Sequence, residues 1–317
     1  MAKSNKIGLG CAAMATITPS THSFSSQRLT LRYVQWGGEW GGEWDAEQVR
    51  GSKPLLVLVH GGFDQKRSWD WVANALSEEY HVIAPDLRGH GQSDWTSDGD
   101  YGVMDHVYDL ASLIDHLGAE DLTLMGHSLG GNITLRYTGL FPQRIKKLVA
   151  IEGLGRSPKA LAEFFAKPIN ERLHRWMDDR RSKSDRTPRI MQNIDEAISR
   201  MQKAHHHLRA DQIDHLTRTG ITPNDDGTIR WAYDPAALGI SPSDISKDDF
   251  ATLIGRITCP TWLVYGEKSW ASNPQKDGRI KMFNNQPSLT EYADAGHWLH
   301  HDRFDDFMKD LRKFLST

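Results

Sequence analysis

A chain of 317 residues with a formal net charge of −3 can bury one large core or two modest ones, and its 38% hydrophobic and 25% charged content is ordinary for a globular protein. The near balance of 38 basic against 41 acidic side chains excludes a global pull towards nucleic acid or anionic membranes, and no run approaches the ~20 apolar residues of a membrane-crossing helix. Two cysteines, Cys11 and Cys259, exclude a disulfide framework and suit a reducing compartment, so the expected location is cytoplasmic.

Lys3 and Lys6 precede a short run at 7–17 that faintly imitates an export signal. That run is rich in Gly, Ala and Thr, which makes export the minor expectation, and residues 1–24 are expected to be a loose N-terminal segment. Residues 27–36 alternate like an amphipathic strand. The duplicated tetrapeptide Gly37-Gly38-Glu39-Trp40 and Gly41-Gly42-Glu43-Trp44 is too short a series for a repeat fold and predicts a hairpin or loop. Short apolar runs at 55–59, 82–84, 122–125, 148–151 and 261–265 predict buried parallel strands. Helical stretches at 68–76, 104–117 and 132–140 separate several of them, and Phe304, Phe307, Met308, Leu311 and Leu315 mark one face of a terminal helix. This alternation predicts an α/β protein with a mostly parallel sheet.

The alternation breaks over 155–249, which lacks strand-like runs and reads as helices. Thr187-Pro188 predicts an N-cap with proline at the first helical position, and Met191, Ile194, Ile198, Met201 and His205 fall on one helix face. So long an insertion is more than a connection. It is expected to be a helical lid over the carboxyl ends of the strands, with the core formed by 25–154 and 250–317. Between Arg156 and Arg209 it carries thirteen Lys and Arg against seven Asp and Glu, a solvated face or, more sharply read, a device that steers an anionic substrate.

The chemistry is concentrated in Gly126-His127-Ser128-Leu129-Gly130, which lies between a predicted strand and a predicted helix. Gly-x-Ser-x-Gly at that junction makes a nucleophile elbow, a turn tight enough to require small flanking residues and to expose the serine oxygen beside a helix N-terminus. The run His205-His206-His207 suggests a metal only superficially, because consecutive helical residues point to different sides and cannot converge on one ion. No metal and no cofactor are expected.

With His60-Gly61-Gly62-Phe63 after a strand, Asp86-Leu87-Arg88-Gly89-His90-Gly91-Gln92-Ser93, the elbow at Ser128 and Gly296-His297-Trp298 before the last helix, the chain resembles an α/β-hydrolase of the lid-bearing kind from Leu29 to its C-terminus. The resemblance implies an eight-stranded, mostly parallel sheet with helices on both faces and a lid after the sixth strand. It implies Ser128 as nucleophile and His297 as its base. The oxyanion donors would be the amides of Leu129 and Gly62, with Phe63 the fallback, and Asp86 to Ser93 would be structural. His300 and His301 would be ordinary residues at the start of the terminal helix.

The third member of the triad departs from the common pattern. A Gly-x-x-Asp after the strand that follows the lid is replaced here by Gly266-Glu267-Lys268-Ser269, and a serine cannot balance an imidazolium. Glu267 and Glu152 are the candidate substitutes. Glu152 is preferred, because its place after the strand ending at Ile151 resembles that of the acid in haloalkane dehalogenases. A serine nucleophile disfavours dehalogenation and epoxide opening, which use an aspartate.

The expected function is hydrolysis of a small hydrophobic carboxylic ester or related acyl compound by a carboxylesterase-like enzyme. Phe63, Leu154, Trp176, Trp270 and Trp298 are candidate pocket walls. Lactonase, amidase and carbon–carbon bond hydrolase remain open at this stage, as do a non-catalytic binding protein and a cofactor-free oxygenase or perhydrolase. The expected assembly is a monomer or homodimer.

Overall fold

The computed structural model describes residues 17–38, 53–184, 186–237 and 244–317. Cys11, the stretch resembling an export signal and the duplicated tetrapeptide beyond Gly38 lie outside the described residues, apart from Ile17 at the end of the first run.

An eight-stranded sheet organises the chain in the order β1-β2-β4-β3-β5-β6-β10-β11. Strands β1 (Ser20–Ser26) and β2 (Leu29–Trp36) pair antiparallel, as do β2 and β4 (His81–Pro85). Every other pair, through β3 (Leu55–Val59), β5 (Leu122–His127), β6 (Ile145–Ile151), β10 (Thr261–Gly266) and β11 (Ser288–Tyr292), is parallel. The two-residue periodicity of the strands divides their side chains between two cores. Val57, Val59, Leu124, Leu148, Ala150 and Leu263 face one layer with α2 (Val103–His116) and α3 (Leu129–Leu140). Leu56, Leu58, Met125, Val149, Ile151 and Val264 face the other, with α1 (Asp70–Leu76) and the terminal helix. Burial on both faces explains why these strands read as continuous apolar runs.

The edges correct the sequence reading. Residues 20–24, expected in a loose segment, belong to β1, where buried Phe24 packs near Tyr33. Gln27 lies in the turn before β2 with φ +54°. The helix expected over 68–76 is a 3-10 turn, Lys66–Trp69, followed by α1.

The insertion between β6 and β10 is not purely helical. It contains α4 (Pro158–Phe165), α5 (Ile169–Ser184), α6 (Ile194–Ala204) and α7 (Ala210–Thr219). It also contains a three-stranded antiparallel sheet of β7 (Ile190–Met191), β9 (Ile229–Trp231) and β8 (Ile221–Pro223). These strands have two or three residues each, too few for a periodicity to register. Pro188 does not open a helix: α6 starts at Ile194, where the Asn193 side chain accepts from Glu196 N at 3.0 Å. Asn193 caps the helix, and Glu196 Oε2 accepts from Gln192 N one residue ahead of the cap, local bonds that outcompete the Thr-Pro signal. The chain then passes through α8 (Lys247–Gly255) and, beyond β10, α9 (Pro274–Asp277). After β11 come α10 (Leu299–Asp302) and α11 (Phe304–Ser316), whose Phe307, Met308, Leu311 and Leu315 are buried as the apolar face predicts.

Candidate active site

Ser128 stands between β5 and α3 at φ +53° and ψ −114°, outside the regions favoured by L-residues. Packing enforces this turn. A Cβ on Gly130 would lie 2.2 Å from Val59 O, and one on Gly126 would lie 2.4 Å from Gly130 O, so only glycine lets the loop pass between strand and helix. Ser128 N donates to Ile151 O at 2.8 Å, pinning the turn to the end of β6. Phe63, Ser128 and Glu152 all have positive φ, at 59°, 53° and 52°, and all three follow the carboxyl ends of the adjacent central strands β3, β5 and β6. Backbone strain gathered in this way is characteristic of a functional site.

Glu152 follows β6 directly, and its amide donates to Val264 O at 2.9 Å. Its carboxylate is fully buried and meets three donors: Gly266 N at 2.8 Å on Oε1, Ser269 Oγ at 2.6 Å on Oε2, and His297 Nδ1, also on Oε2. His297 sits on the loop after β11 with its imidazole partly exposed. Because Nδ1 points at a carboxylate, the proton belongs on Nδ1, and Nε2 is left as the basic nitrogen. The structure thus brings Glu152 and His297 together. Glu267 is instead turned outward, taking Asp294 N at 3.1 Å and lying 3.9 Å from Lys268 Nζ. Ser128 and His297 are linked through the neighbouring residue: His127 Nε2 donates to His297 O at 2.9 Å. No hydrogen bond joins Ser128 Oγ to His297, whose Nδ1 is engaged by Glu152.

The loop after β3 runs beside the elbow, and a Cβ on Gly61 would be 3.3 Å from Ser128 Cβ. Two buried histidines hold this loop. His60 Nε2 accepts from Leu87 N at 3.0 Å while its Nδ1 donates to Gly61 O at 2.7 Å. His90 Nε2 accepts from Phe63 N at 3.1 Å while its Nδ1 donates to Arg88 O at 2.9 Å. Both rings are neutral in these roles, and burial pushes the basicity of both down. The Phe63 amide is therefore already occupied, and Leu129 is the first residue of α3. Asp86 anchors the same loop from below. It pairs with the buried Lys66 ammonium and accepts from Lys66 N and Gln92 N, each at 2.8 Å.

The proposed pocket residues divide. Phe63 is 44% exposed, and its ring meets Tyr233 of the insertion at 4.7 Å. Trp270 is 77% exposed and lies 4.4 Å from the His297 ring. Trp298 stacks on His205 at 4.1 Å. Leu154 is buried in the core cluster, and the ring of Trp176 on α5 packs against the Arg180 guanidinium. Rings of His206 and His207 face one another at 3.8 Å, and no group of three or more ligating side chains among the described residues is arranged for a metal ion. His300 and His301 are buried on α10, where His300 stacks on Trp69 at 4.9 Å and His301 meets Trp71 edge-on at 5.5 Å.

Sequence reading missed three participants: Ser269, His90 and Tyr233. Ser269 is visible in the sequence as the residue standing where an aspartate is usual, and His90 lies inside Asp86 to Ser93, a stretch read as structural. Nothing local marks Tyr233, which is delivered by an isolated bridge to His90.

The family profile described as alpha/beta hydrolase fold matches residues 54–198. An uncharacterized protein of Mycobacterium bovis is 37% identical over 110 residues, and the chain spans about a third (32%) of that relative's length and matches it over 35% of its own. Longer matches are to epoxide hydrolase 4 of Mus musculus, 28% identical over 80% of this chain and 70% of that one, and to an sn-1-specific diacylglycerol lipase of Mus musculus, 24% identical over 83% and 81%. Among solved structures, the thioesterase domain from the curacin biosynthetic pathway superposes with a TM-score of 0.78 at 22% identity, covering 95% of this chain and 100% of that one. The fold is the α/β-hydrolase fold. No helix among the described residues is long and apolar enough to cross a membrane.

Proposed function

We propose that this protein is a serine hydrolase that cleaves a carboxylic ester, or a closely related acyl compound, through an acyl-enzyme. The observation that carries the proposal is the buried Glu152 carboxylate bonded to His297 at the carboxyl ends of the central strands, where Ser128 stands in a strained turn. Ser128 attacks the carbonyl carbon while His297 Nε2 takes its proton. Glu152 keeps the proton on Nδ1 and balances the imidazolium, and the Leu129 and Gly62 amides receive the oxyanion. His297 then returns the proton to the leaving alcohol and activates a water that releases the acid.

Residues 155–249 act as the lid in this reading, and Phe63, Tyr233, Trp270 and Trp298 offer aromatic surface to a hydrophobic acyl or alcohol group. Epoxide opening in the manner of one relative's name is not favoured, because position 128 supplies a hydroxyl and not the carboxylate nucleophile of that chemistry. A lactone or amide would use the same machinery, and a carbon–carbon bond hydrolase would need it too.

Labelling by a fluorophosphonate probe tests the proposal, since such a probe reacts with a serine only where a base and an oxyanion hole activate it. Wild-type protein should label and Ser128→Ala should not. Folded wild-type protein that resists labelling, and that hydrolyses no p-nitrophenyl ester, would sink the reading in favour of a binding protein.

A further inference from the structure

Ser269 occupies the place from which, in the commoner arrangement, an aspartate would serve the histidine. Its hydroxyl is not idle there. Oγ accepts from Ala271 N at 3.1 Å, which commits the hydroxyl proton in the opposite direction, to Glu152 Oε2 at 2.6 Å. The same Oγ lies 3.5 Å from His297 Nδ1. Ser269 is itself fixed by Ser269 N donating to Gly266 O at 3.2 Å, and Gly266 N grips Oε1 of the same carboxylate. Two donors from one turn after β10 therefore hold both oxygens of Glu152, the acceptor-only group they suit. Without Ser269, Oε2 would keep His297 as its single partner, and the carboxylate could swing about its last torsion.

Resting on the reading of Glu152 as the triad acid, we propose that Ser269 is a positioning residue for the Glu152–His297 pair, and that its side chain marks a second seat from which a carboxylate can serve the same imidazole. The second part follows from reach. The Oγ of a serine sits where an aspartate has its carboxyl carbon, so aspartate oxygens at 269 extend one bond further than an atom already 3.5 Å from Nδ1. With Glu152 in place, an aspartate there would put two carboxylates against each other. With Glu152 neutralised as glutamine, it would restore the missing charge.

The test uses the full chain, p-nitrophenyl butyrate turnover and the rate of fluorophosphonate labelling, with thermal melting as a folding control. Ser269→Ala should lower kcat roughly tenfold with KM unchanged, the signature of a misplaced group acting only in the transition state, and Ser269→Thr should restore most of it. Glu152→Gln should lose about 10³-fold or more, and the double variant Glu152→Gln/Ser269→Asp should recover at least tenfold over Glu152→Gln. A Ser269→Ala enzyme equal to wild type overturns the proposal. So does a loss that appears in KM or melting temperature alone, or a double variant no faster than Glu152→Gln. If Glu152→Gln itself remains fully active, the underlying assignment of the acid fails, and that outcome is separate from the others.

Discussion

At the scale of single residues, the proposed mechanism turns on Glu152, a glutamate one core strand earlier than the usual acid. Glu152 emerges from β6, beside the strand that presents Ser128, and is buried with all three of its partners in place. Removing its charge leaves an imidazolium without a counter-ion and frees the ring to adopt the wrong tautomer, which in a serine triad costs about 10⁴ in turnover. Glu152→Gln is accordingly expected to fall by three to four orders of magnitude in kcat, roughly the scale of a lost triad acid. Glu267→Gln should stay within about twofold of wild type, since its carboxylate serves an exposed turn. Steady-state rates on a chromogenic ester decide between them, and the reverse ranking would overturn the assignment. The sequence alone offered both glutamates. What separated them was side-chain direction at the end of a strand, which no local pattern encodes.

Elements determine whether the oxyanion donors are ready. The loop after β3 is tied at two points to the insertion: Gln65 Nε2 donates to Thr219 Oγ1 at 2.9 Å, and Phe63 stacks on Tyr233. It is tied at a third point to His90, whose own loop is clamped by Asp234 N donating to Gly89 O at 2.8 Å and by Gly91 N donating to Ala232 O. Replacing His90 with alanine would orphan the Phe63 amide and release the strained φ that the hydrogen bond maintains. The expected result is a kcat lowered by about 10- to 100-fold with little change in KM, because the donors are displaced rather than deleted. A His90→Ala enzyme with unaltered kcat would separate the oxyanion loop from this contact. Strands buried on both faces and helices with a clear apolar stripe were legible from the sequence. The edge strands β1 and β11 were not located, since each is largely exposed and lacks a continuous apolar run. The insertion was legible as an interruption but not as a structure, because its small sheet depends on partners distant in the chain.

Across the whole molecule, stability should carry the mark of one buried acid near the site. Asp64 directly follows the oxyanion loop, is buried without a cationic partner, and is pushed up to about 7 by loss of solvation, against which the hydrogen bonds from Gln65 N and Ser68 act only in part. Its folded-state affinity for a proton exceeds that of the unfolded chain. The unfolded chain therefore gains from ionisation first, and Asp64 erodes stability as pH rises from its ordinary range near 4 through about 7. Asp64→Asn keeps an oxygen for Gln65 N and removes the ionisation. It should raise the melting temperature by a few degrees at about pH 8 and leave it nearly unchanged at about pH 4. Equal shifts at both values would assign the effect to packing instead.

The order of the proposed catalytic groups along the chain separates them from the insertion unequally. Ser128 and Glu152 both precede the insertion, and only His297 follows it, returned by the parallel pairing of β10 and β11. An acid carried on the turn after β10 would depend on how the insertion delivers the chain back to the sheet. Here the proposed nucleophile and acid are both placed before that excursion begins, on the paired strands β5 and β6. A change of length within 155–249 therefore leaves the spacing of Ser128 and Glu152 untouched, and reaches the site only through the contacts that Thr219, Ala232, Tyr233 and Asp234 make with the loops after β3 and β4.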